Sequence, residues 1–523
     1  MAGEVGATPP SPPEELHRRK LAWAKAHPGA AFPSNVDWVR ALPASERAQY
    51  DGQVRRKPTR TLSGVAIVAV MTAPARCPHG RCTYCPGGVD FASPQSYTGQ
   101  EPSALRGAQF GYDSREITSH RLATLEAIGH STSKVEVIVM GGTFPSRPPR
   151  YREQVFQGIF DGLNDAPSAS LAEAQQANEG APRRCVSLTV ETRPDWCDGR
   201  VLPDLLDAGV TRVEVGVECL DDSVLEAVGR AHGVGDVAAA GREARDRGLK
   251  LCYHMMIGLP GMTPASDLAG FRRLFDDPTF RPDMLKIYPT LVLPGTPLHD
   301  DWKAGRYVPY DEPTAARVLA EVKALVPPWV RIQRIQRDIP ARLIAAGVRA
   351  GNIREWAVRE LARAGRRCRC LRCREVGRRA SPSRDAFELT ETSYTSAGGR
   401  EVFLAWEDLV SDAVAGFLRL RFPSAETVGG LDAPVVRELK VLGPELPVGA
   451  PGHADGTYQH TGLGRELLDR AESIAASEGF DRLFVLSAVG TRAYYRRHGF
   501  EAVGPHMAKR LFAVRKAGSP PAG

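Results

Sequence analysis

Short apolar runs punctuate the first two thirds of the chain: residues 64–70 (GVAIVAV), 135–140 (VEVIVM), 186–190, 213–217, 251–257 and 285–288. Runs of this length, rich in valine and isoleucine, predict buried strands, and segments of helical length and composition separate most of them. Strands alternating with helices predict a parallel sheet built from βα units, and six such units make a partial barrel. Beyond Ala380 the pattern changes. Residues 403–406 and 414–420 alternate as antiparallel strands do, and 435–441 and 483–486 give two more strands. Leu463, Leu467, Leu468, Ala471, Ile474 and Ala475 share one face of a helix that opens at a glycine-containing turn. The expected fold class is α/β: a partial (β/α)6 barrel over 61–325, a connecting segment over 326–380, and a second α/β domain over 381–523. A basic, partly disordered segment, 1–60, precedes them.

A chain of 523 residues is too long for one core. Its net charge of +7 is mild, so the grouping of the charges matters more than their sum. Residues 1–13 read as a disordered tail with no apolar signal segment, and no apolar run is long enough to span a bilayer. Ten cysteines, few and grouped, suit a reducing compartment with metal sites, so the cytoplasm is expected and no membrane. Residues 14–27 predict a short basic helix carrying Arg18, Arg19, Lys20 and Lys25, and residues 55–60 (RRKPTR) add a second basic group. Between 326 and 379, fifteen arginines face only Asp338, Glu355, Glu360 and Glu375. Such a block is the footprint expected of a nucleic-acid partner, with Trp329 and Trp356 able either to stack bases or to pack inside.

The chemistry concentrates at the C-terminal ends of the predicted barrel strands, where barrels of this kind carry their sites. Cys77, Cys82 and Cys85 follow the first strand in the spacing Cys-x4-Cys-x2-Cys. Three thiolates can hold three irons of a 4Fe–4S cube and leave the fourth open, whereas tetrahedral zinc wants four ligands. A zinc knuckle completed by His79, or three buried thiols, are the alternatives. Tyr84 would shield a cluster, and Gly87 and Gly88 allow close backbone approach. Gly141 and Gly142 end the second strand, Glu191 the third and Glu218 the fourth, while His254 to Gly261 closes the fifth. A second set, Cys368, Cys370 and Cys373, reads as a structural zinc site whose remaining ligand is Cys197, a histidine or a water. In the last domain, Gln459, Gly462 and Gly464 form a turn at a helix start, offering backbone N–H groups and the positive dipole end to a pyrophosphate.

The first cysteine trio resembles the signature of radical S-adenosylmethionine (SAM) enzymes, in which SAM chelates the open iron. On that resemblance Gly141 and Gly142 approach the SAM amino group, Glu191 accepts from its amine or ribose, and Glu218 and Arg230 pair with its polar ends. The last domain resembles the GNAT acetyltransferases, with acetyl-CoA at the glycine turn. The two together, with the Cys/Arg segment between them, are similar to the catalytic subunit of Elongator and its stand-alone prokaryotic relatives. The runs that carry this are 77–88, 95–99 (QSYTG), 139–144 (VMGGTF), 191–195 (ETRPD), 280–283 (FRPD), 286–290 (KIYPT), 326–329 (VPPW), 336–340 (QRDIP), 374–377 (REVG) and 490–496 (GTRAYYR).

The resemblance implies acetyl-CoA-dependent carboxymethylation of carbon 5 of the tRNA wobble uridine. A SAM-derived radical takes hydrogen from the acetyl methyl, the carbon radical adds to uracil, and the thioester is hydrolysed. It implies a role in acetyl-CoA use for Lys134 and Tyr495, a pantetheine strand at Glu438, Leu439, Lys440 and Val441, and a pyrophosphate turn at Gln459, Gly462, Leu463, Gly464 and Arg465 with Tyr494 beside it. Lys286 takes a substrate role. Implied partners are the tRNA anticodon stem-loop and an electron donor, and a homodimer is left open. Two departures touch the SAM contacts: Glu218 stands where many members have glutamine, and residues 229–232 (GRAH) replace an Asn-Arg-Gly-His run. Two competing functions are a protein lysine acetyltransferase with a structural cysteine cluster, and an acetyl-CoA-sensing RNA-binding module.

Overall fold

The structure, a computed structural model, describes residues 12–28, 35–43, 46, 61–378, 383–424, 426–446 and 458–511. The expectations for residues 1–11, the basic group 55–60 and Arg379 lie outside the described residues.

Two seven-stranded sheets dominate. In the first, β1 (Ala66–Met71), β2 (Lys134–Met140), β3 (Arg184–Thr192), β4 (Arg212–Glu218), β5 (Lys250–Ile257), β6 (Met284–Pro289) and β7 (Arg331–Ile335) lie side by side in chain order, every pair parallel. The hydrophobic runs form these strands because helices cover one face: Val213, Val215 and Val217 of β4 and Leu251 and Tyr253 of β5 are fully buried. The crossover helices include Pro149–Asn164, Val234–Asp246 and Glu312–Leu325, the last capped by the Asp311 carboxylate accepting from the Thr314 amide. The sheet has one strand more than the six expected. β7 comes from the arginine-rich segment, where Ile332 and Ile335, three apart and so on opposite faces, give no apolar alternation and arginines mask the strand pattern.

The sheet curls into a half-barrel. Ion pairs join strands that are not neighbours: Arg212 of β4 reaches Glu136 of β2, and Lys286 of β6 reaches Glu191 of β3 at 3.9 Å, across β4 and β5. The concave face is therefore polar, built from the alternate residues of strands whose other face is apolar.

The second sheet is β8 (Glu388–Ser396), β9 (Gly399–Asp408), β10 (Ala413–Phe422), β11 (Val435–Val441), β12 (Arg482–Val485), β13 (Glu501–Val503) and β14 (His506–Arg510), in the order β13-β14-β12-β11-β10-β9-β8. Its pairs are antiparallel except β11 with β12, which touch only at Val435 and Val436 and then diverge. The helix Leu463–Ser477 packs Leu467, Leu468, Ala471, Ile474 and Ala475 against this sheet, on the face the spacing predicts.

A buried ionic network fixes one sheet against the other. Arg437 of β11 binds Asp283 beside β6 at 2.7 and 2.8 Å and Glu401 of β9 at 2.7 Å. Arg245 bridges Asp283 and Glu401, and Arg421 joins Asp246 and Glu401. Asp283 and Glu401 stay ionised: burial opposes their charge, but the surrounding guanidiniums hold both carboxyls below the usual range. Such a set is stable only when complete, so it specifies one relative placement of the two halves.

The arginine block is divided between interior and surface: among the described residues Arg331 and Arg374 are buried, whereas Arg342, Arg349, Arg359, Arg363, Arg366, Arg367 and Arg369 are exposed. Arg331 pairs with Glu375, Arg374 with Asp412 and Glu407, Arg366 with Glu321 and Arg363 with Glu360. Trp329 stacks on Tyr394, with ring centroids 4.3 Å apart, and Trp356 packs on the barrel core. Part of the positive charge that suggested phosphate contacts is thus used inside the fold, and the exposed arginines keep theirs at the surface. At the N-terminus the helix Pro12–Ala26 forms where a basic helix is expected, beginning two residues before it, and Leu16 packs on Val39 of the helix Asn35–Ala41.

Candidate active site at the two ends of one barrel

A cavity opens at the C-terminal rim of the barrel, lined by Cys77, Cys82, Cys85, Gly142, Glu191, Glu218, Arg230, His254, Lys286 and others. The loop after β1 brings in the cysteines. Cys85 accepts from Gln95 Nε2 at 3.0 Å, Cys77 Sγ lies 3.7 Å from Thr143 Oγ1, and Cys82 Sγ lies 3.3 Å from His79 Nε2 and 3.8 Å from Arg230 Nη1. Burial raises the Cys77 and Cys82 thiols. It also pushes His79 down to about 4, helped by Arg193 and Arg230, so His79 is neutral at pH 7.

The donor set fits a cluster. The described residues gather two groups of three metal-ligating atoms within 4.8 Å of one another, Cys368/Cys370/Cys373 and Glu214/Cys252/His254, and this trio is not among them. A cube spreads its thiolates wider than a single ion does. Gly142, at φ +90°, supplies the space: a Cβ there would stand 3.6 Å from Cys77 Sγ and 3.3 Å from Gln95 Cβ. At Gly141, φ +131°, a Cβ would collide with Thr72 Oγ1 at 2.3 Å.

Around the cysteines, Arg230 pairs with Glu218 at 3.0 Å and donates to the Gly216 carbonyl at 2.6 Å, leaving its buried Nε unpartnered. Glu218 is held at φ +68°, a strained conformation at the end of β4 that aims its carboxylate back at Arg230. Glu191 accepts from Tyr97 at 2.9 Å. Deeper in the lumen Lys286 is ion-paired with Glu214, which also meets His254 Nε2 at 3.0 Å. Burial alone would lower Lys286, but Glu214 raises it well above its ordinary value, so it is a fixed ammonium and no base. The same ammonium occupies the Glu214 carboxylate that a metal would need in the Glu214/Cys252/His254 group.

The second cavity, about 660 Å³, lies between the divergent ends of β11 and β12 and the opposite, N-terminal rim of the barrel. It brings together Lys134, Glu438, Leu439, Lys440, Val441, Gln459, Gly462, Leu463, Gly464, Arg465, Tyr494 and Tyr495, all expected from the sequence. Lys134 Nζ donates to Gln459 Oε1 at 2.8 Å, and burial pushes the ammonium down to about 8. Gly462, at φ +96°, caps the helix, and a Cβ on Gly464 would press on the Tyr494 hydroxyl at 3.3 Å. Tyr495 is buried, its hydroxyl held un-ionised by desolvation. Arg465 turns along its own helix to Asp469 and to His498. A cavity of this size with a bare helix N-terminus in its wall fits a CoA thioester. Gly490 seals the domains together: a Cβ there would lie 2.6 Å from Arg184 Cβ.

Cys368, Cys370 and Cys373 close to within 4.8 Å, so they can bind a metal ion. Cys197 does not join them; its sulfur lies by the Ala240 carbonyl. The buried Lys323 donates to Cys373 at 3.6 Å. Sequence reasoning passed over Glu214 and Glu136, and gave no site role to Tyr97, Gln95 and Arg337, which it met only within the matching runs. The signal for the first two was present: charged residues two apart in a strand that should be buried on both faces, as in Arg212-Val213-Glu214.

Fold and site together define an enzyme that joins a radical SAM half-barrel to a GNAT acetyltransferase domain. Residues 72–271 match the radical SAM superfamily, 282–363 the radical SAM C-terminal domain, and 371–500 the acetyltransferase (GNAT) family. The radical SAM family implies a 4Fe–4S cluster and SAM, and the GNAT family acetyl-CoA. The chain is 42% identical over 494 residues to a tRNA uridine(34) acetyltransferase of Methanocaldococcus jannaschii, covering 92% of this chain and 91% of that one. It is 42% identical over 517 residues to Elongator complex protein 3 of Bos taurus, covering 95% and 93%. The solved archaeal Elp3 of Methanocaldococcus infernus, lacking its N-terminus, superposes with a TM-score of 0.77 at 39% identity over 86% of this chain and 100% of that one. The chain belongs to the family of tRNA uridine(34) acetyltransferases and Elongator complex protein 3. Among the described residues no helix is long and apolar enough to cross a membrane.

Proposed function

We propose that this protein modifies uridine 34 of tRNA, using acetyl-CoA and SAM to form 5-carboxymethyluridine. One observation carries the reading: the cavity suited to acetyl-CoA is walled by the same barrel strands whose other ends surround the cysteine trio. A plain acetyltransferase needs no such shared wall, which weighs against the lysine acetyltransferase alternative. The cluster with SAM supplies, when bound, a 5′-deoxyadenosyl radical able to abstract an unactivated hydrogen.

The chain's own residues do the rest. Cys77, Cys82 and Cys85 hold three irons; Gly141, Gly142, Glu191, Glu218 and Arg230 surround the SAM amine, carboxylate and ribose. Leu463, Gly464 and Arg465 receive the pyrophosphate, 438–441 align the pantetheine, and Lys134, Gln459 and Tyr495 orient the thioester half. Lys286, fixed as an ammonium, takes a uracil or carboxylate oxygen. We assign zinc to Cys368, Cys370 and Cys373, with the fourth ligand from solvent. The substrate region is the anticodon stem-loop, held by the exposed remainder of the basic surface; an external donor reduces the cluster, in the cytoplasm.

The test is anaerobic reconstitution with iron, sulfide, SAM, reductant, carbon-13 acetyl-CoA and a tRNA transcript, followed by nucleoside mass spectrometry. A labelled carboxymethyl group on uridine 34 is expected. Labelled acetyl-lysine with unmodified uridine would return the lysine acetyltransferase. tRNA affinity should fall steeply with salt, since each phosphate contact releases counterion.

A further inference from the structure

The two cavities approach each other inside the barrel. β4 puts Arg212 in the wall of the lower cavity and Glu214, two residues on, in the wall of the upper one; that step is about 7 Å along a strand. β5 does the same with Lys250 below and His254 above, and Cys252 between them lines neither cavity and is fully buried. The lumen is crossed at this level by one ionic layer. Arg212 Nη2 lies 2.5 Å from Glu136 and 3.4 Å from Glu214 Oε1, and its Nη1 reaches only the Met284 sulfur at 4.0 Å.

This layer differs from the closed network between the two sheets. Arg212 Nε and Glu214 Oε1 are buried without a hydrogen-bond partner among the described residues. Unused donors on a buried guanidinium cost stability unless something that visits the site takes them. Beside them stand small side chains, Ser187 opposite Glu136 and Cys252 opposite Glu214. The interface around Asp283, Glu401 and Arg437, each at most 1% exposed, borders the lower cavity at Arg437.

We propose that the Glu136–Arg212–Glu214 layer is a gated passage that admits the acyl end of acetyl-CoA from the lower cavity into the barrel lumen. Arg212 is its positioning residue: its free N–H groups receive the thioester oxygen while the methyl passes beside Cys252 toward the upper cavity. This deepens the proposed function and rests on it, because only a reaction that starts at the acetyl methyl and ends at the cysteine rim requires the passage. The small residues at that level restrict it to short acyl groups.

The test uses the full chain and a CoA thioester whose short acyl group carries a diazirine. Photolysis and peptide mapping, which need neither iron nor SAM, should place the adduct on Cys252 or Glu214, beyond Arg212. An adduct confined to residues 435–441, Tyr494 and Tyr495 overturns the passage. Filling the lumen by Cys252→Leu should lower uridine modification about 100-fold, the cost of misplacing a reacting group, while SAM cleavage persists. A folded Cys252→Leu protein that modifies tRNA at the wild-type rate also overturns it; if the variant does not fold, the wild-type adduct decides. If the wild-type protein leaves uridine 34 untouched, the proposed function falls, and the adduct position still reports whether the acyl group enters the lumen.

Discussion

Lys134 and Gln459, 325 positions apart in the chain, meet through a 2.8 Å hydrogen bond from the ammonium to the amide oxygen. One opens a barrel strand and the other begins the glycine turn of the second domain, so a single contact ties the two halves at the mouth of the acetyl-CoA cavity.

That contact sets a pH dependence. Burial lowers Lys134 to about 8, so the site carries an ammonium below that value and a neutral amine above it. Acetyl-CoA affinity, measured by calorimetry, is expected to weaken as pH rises from 7 to 9. Lys134→Met should bind about tenfold more weakly at pH 7, as expected for a charge-assisted hydrogen bond, and show no such slope. Equal slopes in both proteins would remove Lys134 from the site.

The interface network makes a stability prediction with a sign. Arg437→Leu leaves Asp283 and Glu401 buried with less counter-charge and should cost about 3–5 kcal/mol. Asp283, Asp246 and Glu401 have carboxyls held below their ordinary values, so their contribution is full above the unfolded range near 4 and is lost as pH falls through the folded values. Scanning calorimetry from pH 7 to pH 3 should show the wild-type advantage over Arg437→Leu constant down to about pH 4–5 and shrinking only below it.

Gly142→Ala tests the cluster cradle. The new methyl would press on Gln95 Cβ at 3.3 Å and touch Cys77 Sγ at 3.6 Å, at a left-handed backbone position that strains any side chain. Iron content after anaerobic reconstitution should fall, with acetyl-CoA binding at the far rim unchanged. Full iron loading would remove Gly142 from the cradle.

Cys370→Ser tests the zinc proposed for the second cysteine set and should loosen the segment around β7, since this thiol is fully buried among its partners. Elemental analysis is expected to find one zinc per chain in the wild type, absent in the variant. Zinc retained by Cys370→Ser would place it elsewhere.

How much of this was legible in the sequence varies by residue type. The cysteine spacing, the paired glycines and the turn at 459–465 announced their chemistry because each needs a fixed local geometry. β7 was hidden, because its isoleucines, 332 and 335, do not alternate and its arginines at 331 and 334 are balanced by Glu375, far along the chain, and by loop-borne Asp338. Glu136, Arg212 and Glu214 gave a readable cue, charge inside doubly covered strands, but their pairing depends on the curl of the sheet, which no local pattern encodes. The arginine block shows the same limit: charge counted along the chain does not reveal which guanidiniums face inward, as Arg331 and Arg374 do, and which face solvent.

The most direct measurement of the central claim is the fate of deuterium in an anaerobic reaction with tRNA and acetyl-CoA deuterated at the methyl. If the two cavities serve one reaction, deuterium appears in 5′-deoxyadenosine and the modified uridine carries the remaining label. Unlabelled 5′-deoxyadenosine alongside fully modified tRNA would contradict it.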